Sequence, residues 1–216
     1  KSLKEKLGGT LNDLVLSLVS GSLRQYLLAR NELPDGPLLV TVPVSQDPTD
    51  KSRETGNATA VSVTLNHVEI EDPLRRHQAN RDSSDISKRE LDIIGRDTFG
   101  LMAHYIPPLI QQWIAERAYH KQSADDPGFR PAANLSVSNV PGPRERFSAL
   151  GNVVEDFYSS GPLVEGMGLN ITVWSYAGNV NFTLTACMKL IPDIQEIAEG
   201  LQRSFEELSE LSPGAC

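Results

Sequence analysis

Several things are missing from this chain, and each absence removes a class of function. Of the 216 residues two are cysteine, Cys187 and Cys216, and their spacing makes neither a CxxC pair nor a disulfide framework. Such usage fits a reducing compartment, so the cytoplasm is the expected location. The longest apolar run, residues 14–23, is broken by Ser17, Ser20, Gly21 and Ser22. It falls short of the roughly 18 apolar residues that read as a membrane-spanning helix. Neither an initiator methionine nor a signal-peptide core is present at Lys1, and the chain reads as an excised piece of a longer polypeptide. Positive charge is scarce: 20 Lys and Arg face 28 Asp and Glu, for a net charge of -8. That balance argues against nucleic acid as the main partner, because phosphate binding needs clustered cations.

Catalytic signatures are missing too. The four histidines, His67, His77, His104 and His120, are nowhere adjacent and show no HExxH spacing, and no cysteine lies near enough to complete a zinc set. Neither a GxSxG elbow nor a phosphate-cradling glycine loop occurs. No metal is expected, and the histidines are assigned ordinary surface or half-buried roles. On its own residues the chain carries no recognisable catalytic constellation.

What is present is ordinary for a soluble α/β protein, with 39% hydrophobic and 22% charged residues. A chain of this length buries roughly 70% of the surface it exposes when unfolded. Acid gathers late: beyond Cys187, Lys189 and Arg203 oppose Asp193, Glu196, Glu199, Glu206, Glu207 and Glu210, which reads as a solvated helix face. Gly8-Gly9 followed by Thr10 and Asp13 announces a helix over residues 11–30 through a capping-box pair. Residues 38–44 predict a strand, with Pro43 marking an edge or exit, and Val61, Val63 and Leu65 alternate with polar residues as in a half-buried strand. Residues 47–57 read as a surface loop.

Residues 72–120 turn helical in two or three pieces, entered at Asp72-Pro73 and interrupted at Pro107-Pro108; 122–131 read as a linker. Strands are expected at 135–140 and near 153–158. A hairpin follows, with arms 169–176 and 180–186 joined by Ala177-Gly178-Asn179. Ile194, Ile197, Ala198, Leu201, Phe205 and Leu208 form the apolar stripe of a closing helix. Strands both separated by helices and joined by a hairpin imply an α/β chain with a mixed β-sheet covered by helices.

Two stretches stand out. Asn134-Leu-Ser-Val-Ser-Asn-Val-Pro-Gly-Pro143 is an alternating strand running into a loop stiffened by prolines, and Gly168-Leu-Asn-Ile-Thr-Val-Trp-Ser-Tyr176 is an alternating strand ending at a turn. With Asn12-Asp13 ahead of them and Asn181-Phe182 across the hairpin, they resemble the C-terminal half of the bacterial wax ester synthase/diacylglycerol acyltransferase family, of the mycobacterial triacylglycerol synthase type. The resemblance spans nearly the whole chain. It implies one half of a chloramphenicol-acetyltransferase-like, CoA-dependent acyltransferase fold, also similar to condensation domains, with a tunnel between two halves and residues 1–216 as the C-terminal domain.

The family's HHxxxDG motif belongs to the N-terminal half, so the resemblance places no catalytic base in this chain. It implies that the second histidine of that motif takes the hydroxyl proton of diacylglycerol or a long-chain alcohol, whose oxygen then attacks acyl-CoA. Acyl-CoA is a substrate, and no cofactor is implied. The remaining partners are the N-terminal half and, at the periphery, a membrane or lipid droplet. This half would supply a tunnel wall, polar groups near the reacting thioester and a docking surface. Asn12 and Asp13 match the family's ND motif, although Asp13 has a strong structural alternative as a helix cap. Ser136, Ser138, Asn170 and Thr172 lie on polar strand faces that are either solvated or turned to the tunnel, and Ser138-Asn139 is the leading candidate for a donor near the thioester. Val140-Pro-Gly-Pro143 is expected to set the course of a loop rather than touch substrate. A non-catalytic lipid-binding or lipid-docking module is the competing function, and a condensation-type acyltransferase using a carrier protein a third.

Overall fold

The computed structural model describes residues 2–45, 59–94, 107, 110, 133–164 and 166–211. Along these run α1 (Ser2–Leu7), α2 (Leu11–Ala29), β1 (Leu38–Ser45), β2 (Thr59–Asn66), α3 (Pro73–Ile94), β3 (Leu135–Pro141), β4 (Ser148–Ala149), β5 (Asn152–Val153), β6 (Leu169–Tyr176), β7 (Asn179–Ala186) and α4 (Ile194–Leu211). The expected loop at 47–57, the helical pieces beyond Ile94 with the Pro107-Pro108 interruption, the linker at 122–131, His104 and His120 lie outside the described residues or depend on residues that do.

Helix α2 starts where the sequence places it. The Thr10 hydroxyl accepts from the Asp13 N–H, and the Thr10 N–H donates to Asp13 Oδ2 at 2.7 Å, closing the capping box. Its serines do not interrupt it, because their hydroxyls find acceptors: Ser17 on the Asp13 carbonyl, Ser20 on the Ser17 carbonyl, and Ser22 across on Ile197 of α4. Helix α2 packs against both α3 and α4. The α4 contact is close: a side-chain carbon added at Gly21 would strike Ser204, and one at Gly200 would strike Ser22. This geometry revises the expected α4 stripe. Ile197, Leu201 and Leu208 are buried as anticipated, but Gly200 and Ser204 share the buried face while Phe205 is 43% exposed.

The strands form one five-stranded mixed sheet in the order β2-β1-β3-β6-β7. β1 and β3 run parallel, as do β3 and β6, and antiparallel strands β2 and β7 close the edges. β1 meets β3 at Val40 and Thr41 alone, so Pro43 sits beyond that ladder and costs no bond to β3. Val40, Val42, Leu135, Val137, Ile171 and Val173 turn one sheet face into the core against Val15, Leu16, Val19, Ile197 and Leu201. Residues Ala177 and Gly178 both have positive φ, +47° and +91°, which fits the two-residue type I′ turn whose twist suits a tight hairpin.

Two expectations are corrected. The strand near residues 153–158 shrinks to the two-residue β5, paired with β4. Side chains take the place of a ladder there: Tyr176 donates its hydroxyl to the Val154 carbonyl at 2.6 Å, and Asn181 donates to the Phe157 carbonyl. The alternation in β2 is real, but its apolar residues point away from the helices. Ser62, Thr64 and Asn66 are buried beneath α3, while Val61, Val63 and Leu65 are 59%, 43% and 39% exposed.

Polar bonding at the seam explains the choice. Asn66 donates to the Leu16 carbonyl of α2, and Asn80 of α3 accepts from the His67 N–H at 2.8 Å while donating to Ser20 Oγ at 2.8 Å. Asn80 is fully buried and joins three elements. Asn80→Ala leaves buried groups unpaired, each worth about 1–3 kcal/mol. The expected outcome is a loss of about 2–3 kcal/mol in urea unfolding, and an unchanged midpoint would remove Asn80 from this role.

Candidate functional site

The expected site residues separate onto the two faces of the sheet, because alternate residues of a strand point in opposite directions. Asn139 follows Leu135 and Val137 onto the helix side. There it meets Asn12 in a cleft of about 290 Å³ at the carboxyl ends of β1 and β3, shared with Val42, Ser84 and Lys88. Ser136 and Ser138 face the other way, in register with Asn170 and Thr172 of β6. These four line a trough of about 500 Å³ with Pro43, Val61, Val140, Val164 and Met167. Pro43, near the end of β1, borders both cavities.

Asn12 stands in the first turn of α2, and its neighbour fixes that turn. Asp13 is 1% exposed, with Lys88 Nζ 3.4 Å from its Oδ1 and the Thr10 hydroxyl 2.8 Å from its Oδ2. Burial pushes the Asp13 carboxyl up. The Thr10 N–H and hydroxyl, the Lys88 ammonium and the Ser84 hydroxyl outweigh that and hold it below its ordinary 3.8, so it is a carboxylate at neutral pH. Asp13 therefore acts as cap and anchor, while among the described residues the Asn12 amide has no hydrogen-bond partner and borders the cleft. Lys88 also pairs with Asp85 at 3.3 Å.

On the opposite face the strand is not solvated. Residues 159–164 cross over β6, and Asn170 donates to the Pro162 carbonyl at 3.2 Å while accepting from the Thr172 hydroxyl at 2.9 Å. Gly161 is required at that crossing, since a side-chain carbon there would overlap the Asn170 amide. The loop after β3 turns back as expected: Gly142 lies against Trp174, and Ala177 N–H donates to the Pro143 carbonyl. Lys88, Ser84, Thr41 and Met167 were not anticipated. Lys88 follows Ser84 by four residues on a polar helix, a spacing that puts both on one face, yet a polar helix offered no reason to single them out.

Among the described residues no cluster of His, Cys, Asp or Glu has the makings of a metal site. His77 is buried with Nδ1 2.8 Å from Ser17 Oγ.

The fold is a mixed α/β sheet with a cleft on each face, and comparison with known proteins gives the family. Residues 55–209 match the family described as the WS/DGAT C-terminal domain. The chain belongs to the wax ester synthase/diacylglycerol acyltransferase family. It is 34% identical over 212 residues to a putative diacylglycerol O-acyltransferase of Mycobacterium tuberculosis H37Rv, covering 96% of this chain and 43% of that protein. It is 31% identical over 215 residues to a probable diacylglycerol O-acyltransferase, tgs2, of the same strain, covering 97% and 45%. The chain thus spans less than half the length of these relatives. Its fold matches the wax ester synthase/diacylglycerol acyltransferase of Marinobacter aquaeolei VT8 with a TM-score of 0.73 at 24% identity, over 98% of this chain and 46% of that one. The first condensation domain of the CDA synthetase matches at 0.51 and 13% identity, over 98% and 42%.

The surroundings of His77 set a pH dependence. Burial holds its imidazole below the ordinary 6.5 and Arg81 adds to this, while Asp13 and the carbonyls of Leu7 and Gly8 pull the other way. The unfolded chain therefore takes up a proton at a pH where the folded chain does not. Stability is full above about pH 6.5 and falls as the pH drops from there toward the depressed folded value. Urea midpoints between pH 7 and 5 should decline in the wild type and decline less in His77→Gln; parallel curves would refute the assignment.

Proposed function

We propose that this chain is the C-terminal domain, residues 1–216, of an acyl-CoA:diacylglycerol O-acyltransferase that makes triacylglycerol and, with a long-chain alcohol as acceptor, wax ester. The supporting observation is the sheet face on which, among the described residues, no helix packs. Fully burying a Val or Leu side chain is worth about 1.5–3 kcal/mol, yet Val61, Val63 and Leu65 are exposed, Val61 beside the trough, while polar residues of β2 occupy the core side. Contiguous apolar surface of this kind marks a contact site. The relatives, of which this chain covers 43% and 45%, have the length to supply a second half.

In this reading the second half docks on that face and closes the trough into a tunnel. Val61, Val140, Val164 and Met167 hold the acyl chain, and the thioester lies near Pro43 at the end of β1, which borders both cavities. The base comes from HHxxxDG in the N-terminal half, since no two histidines are adjacent here. It takes the proton of the diacylglycerol or alcohol hydroxyl, the oxygen attacks the thioester carbonyl, and the tetrahedral intermediate expels CoA thiolate. Positioned base catalysis is worth roughly 10²–10⁴ in rate, so this half alone should be nearly inert.

Ser138, which faces the trough, is the donor to the oxyanion, while Asn139 on the opposite face of β3 borders the cleft with Asn12. Asn12 orders the loop that carries the base, Asp13 anchors its helix, and Ser136, Asn170 and Thr172 line the polar floor of the tunnel. Acyl-CoA enters as substrate and no cofactor takes part. Among the described residues no helix is long and apolar enough to cross a membrane. The enzyme is cytoplasmic in this reading and meets a membrane or lipid droplet peripherally.

CoA-thiol release by a polypeptide carrying both halves tests the assignment. Asn12→Ala and Ser138→Ala should each lower kcat by about 10–100-fold, within the range expected for lost orientation or a lost oxyanion donor. Wild-type kinetics would remove both from the site. A two-half polypeptide that binds lipid vesicles yet releases no CoA would instead support the lipid-binding reading.

A further inference from the structure

A second constellation lies on the other side of β2, and its geometry is that of an activated serine. His67 Nδ1 is 2.7 Å from Glu69 Oε1, and His67 Nε2 is 2.9 Å from Ser83 Oγ. Glu69 as a carboxylate can only accept, so Nδ1 carries the proton and Nε2 is left to accept from the Ser83 hydroxyl. This is the order of contacts in which a carboxylate orients an imidazole and the imidazole withdraws a proton from a nucleophile.

The pair is held rigidly. The His67 N–H is bound by Asn80, and the carbonyls of Val68 and Glu69 are both held by Arg24 at 3.0 and 2.9 Å. Ser83 borders a cleft of about 250 Å³ whose apolar wall comes from Leu39, Val63, Leu65 and Ile86. Thr64 borders the same cleft, and its hydroxyl is buried without a hydrogen-bond partner, the one such group on its wall. A hydroxyl left unpaired on the cleft wall has its proton free to donate to an oxyanion. Ser83, His67 and Glu69 line neither cavity bordered by Asn12 or Ser138, although Thr64 also borders the Asn12 cleft.

We propose that Ser83, His67 and Glu69 form a serine-esterase site that cleaves carboxylic esters with a short acyl group, seated in the Val63–Ile86 cleft. The Ser83 oxygen bonds to the ester carbonyl carbon as its proton passes to His67 Nε2, and the carbonyl electron pair moves to the oxygen beside Thr64. Collapse of this intermediate breaks the bond to the alcohol oxygen, which leaves with the proton from His67, giving acyl-Ser83. Water repeats the sequence, with His67 taking its proton, and releases the carboxylic acid with Ser83 restored. Glu69 is a positioning residue that fixes the tautomer. The N–H of Ser83 lies inside α3 and is committed to the helix ladder, so the oxyanion has one side-chain donor and turnover is slow.

The test is treatment of the full chain with a biotinylated fluorophosphonate, peptide mapping by mass spectrometry, and hydrolysis of p-nitrophenyl butyrate. The wild type is expected to carry the phosphonate on Ser83, with fluoride displaced. Ser83→Ala should abolish labelling, and His67→Gln should lower labelling and hydrolysis by at least about 100-fold. Glu69→Gln, which keeps a hydrogen-bond acceptor but loses the charge, should slow labelling without altering where the label falls. Mapping in the wild type needs no variant to fold. An unmodified Ser83, a label on another residue, or hydrolysis unchanged in Ser83→Ala would overturn the proposal, and none of these outcomes bears on CoA release.

Discussion

The carboxylate of Asp13 ties together the start of α2, the packing of α3 and the cleft at the strand ends. A charge removed from water is costly unless fully compensated, and here the compensation comes from both sides. Thr10 supplies the N–H and hydroxyl of the cap, while α3 supplies Lys88 and Ser84. The bonds that solvate the charge also set the register of α2 against α3. Asn12 precedes Asp13 directly, so its place at the mouth of the cleft follows from the same anchor.

From that anchor a polar seam runs down between the helices and β2, through Ser17 with His77, Ser20 with Asn80, and Asn66 with the Leu16 carbonyl. These bonds between elements give register where an apolar interface would permit sliding. Its consequence appears on the other face of the sheet. With Ser62, Thr64 and Asn66 committed inward, the pleat sends Val61, Val63 and Leu65 outward. Among the described residues the sheet carries an apolar core on its helix side and an exposed apolar row along β2 on the other.

Much of this was legible in the residues. Thr10 with Asp13, Asp72-Pro73, and Ala177-Gly178 are local signals, in which chemistry a few residues apart decides the backbone, and the helices and hairpin follow them closely. The grouping of Ser136 and Ser138 followed from strand alternation, and their pairing with Asn170 and Thr172 needed the parallel register of β3 and β6. The inverted β2 was not legible, because alternation gives two faces without saying which is buried, and Asn80 that decides it lies fourteen positions beyond Asn66. The strand expected at 153–158 failed for a similar reason: its carbonyls are taken by Tyr176 and Asn181, partners more than twenty residues away. Ser83 gave no signal at all, since no motif places a nucleophile in mid-helix and its histidine stands sixteen residues earlier.

The most direct test of the account is the accessibility of the outward row of β2. A thiol placed by Val63→Cys, in a background where Cys187 and Cys216 are serine, can be titrated with a maleimide in this chain alone and in a polypeptide that also carries the N-terminal half. Rapid labelling in the chain alone and protection by at least about tenfold with the second half present is the predicted result, as expected for burial at a well-packed interface. Equal labelling in both would mean that the apolar face stays uncovered, and it would contradict the claim that this sheet is one wall of a two-part tunnel.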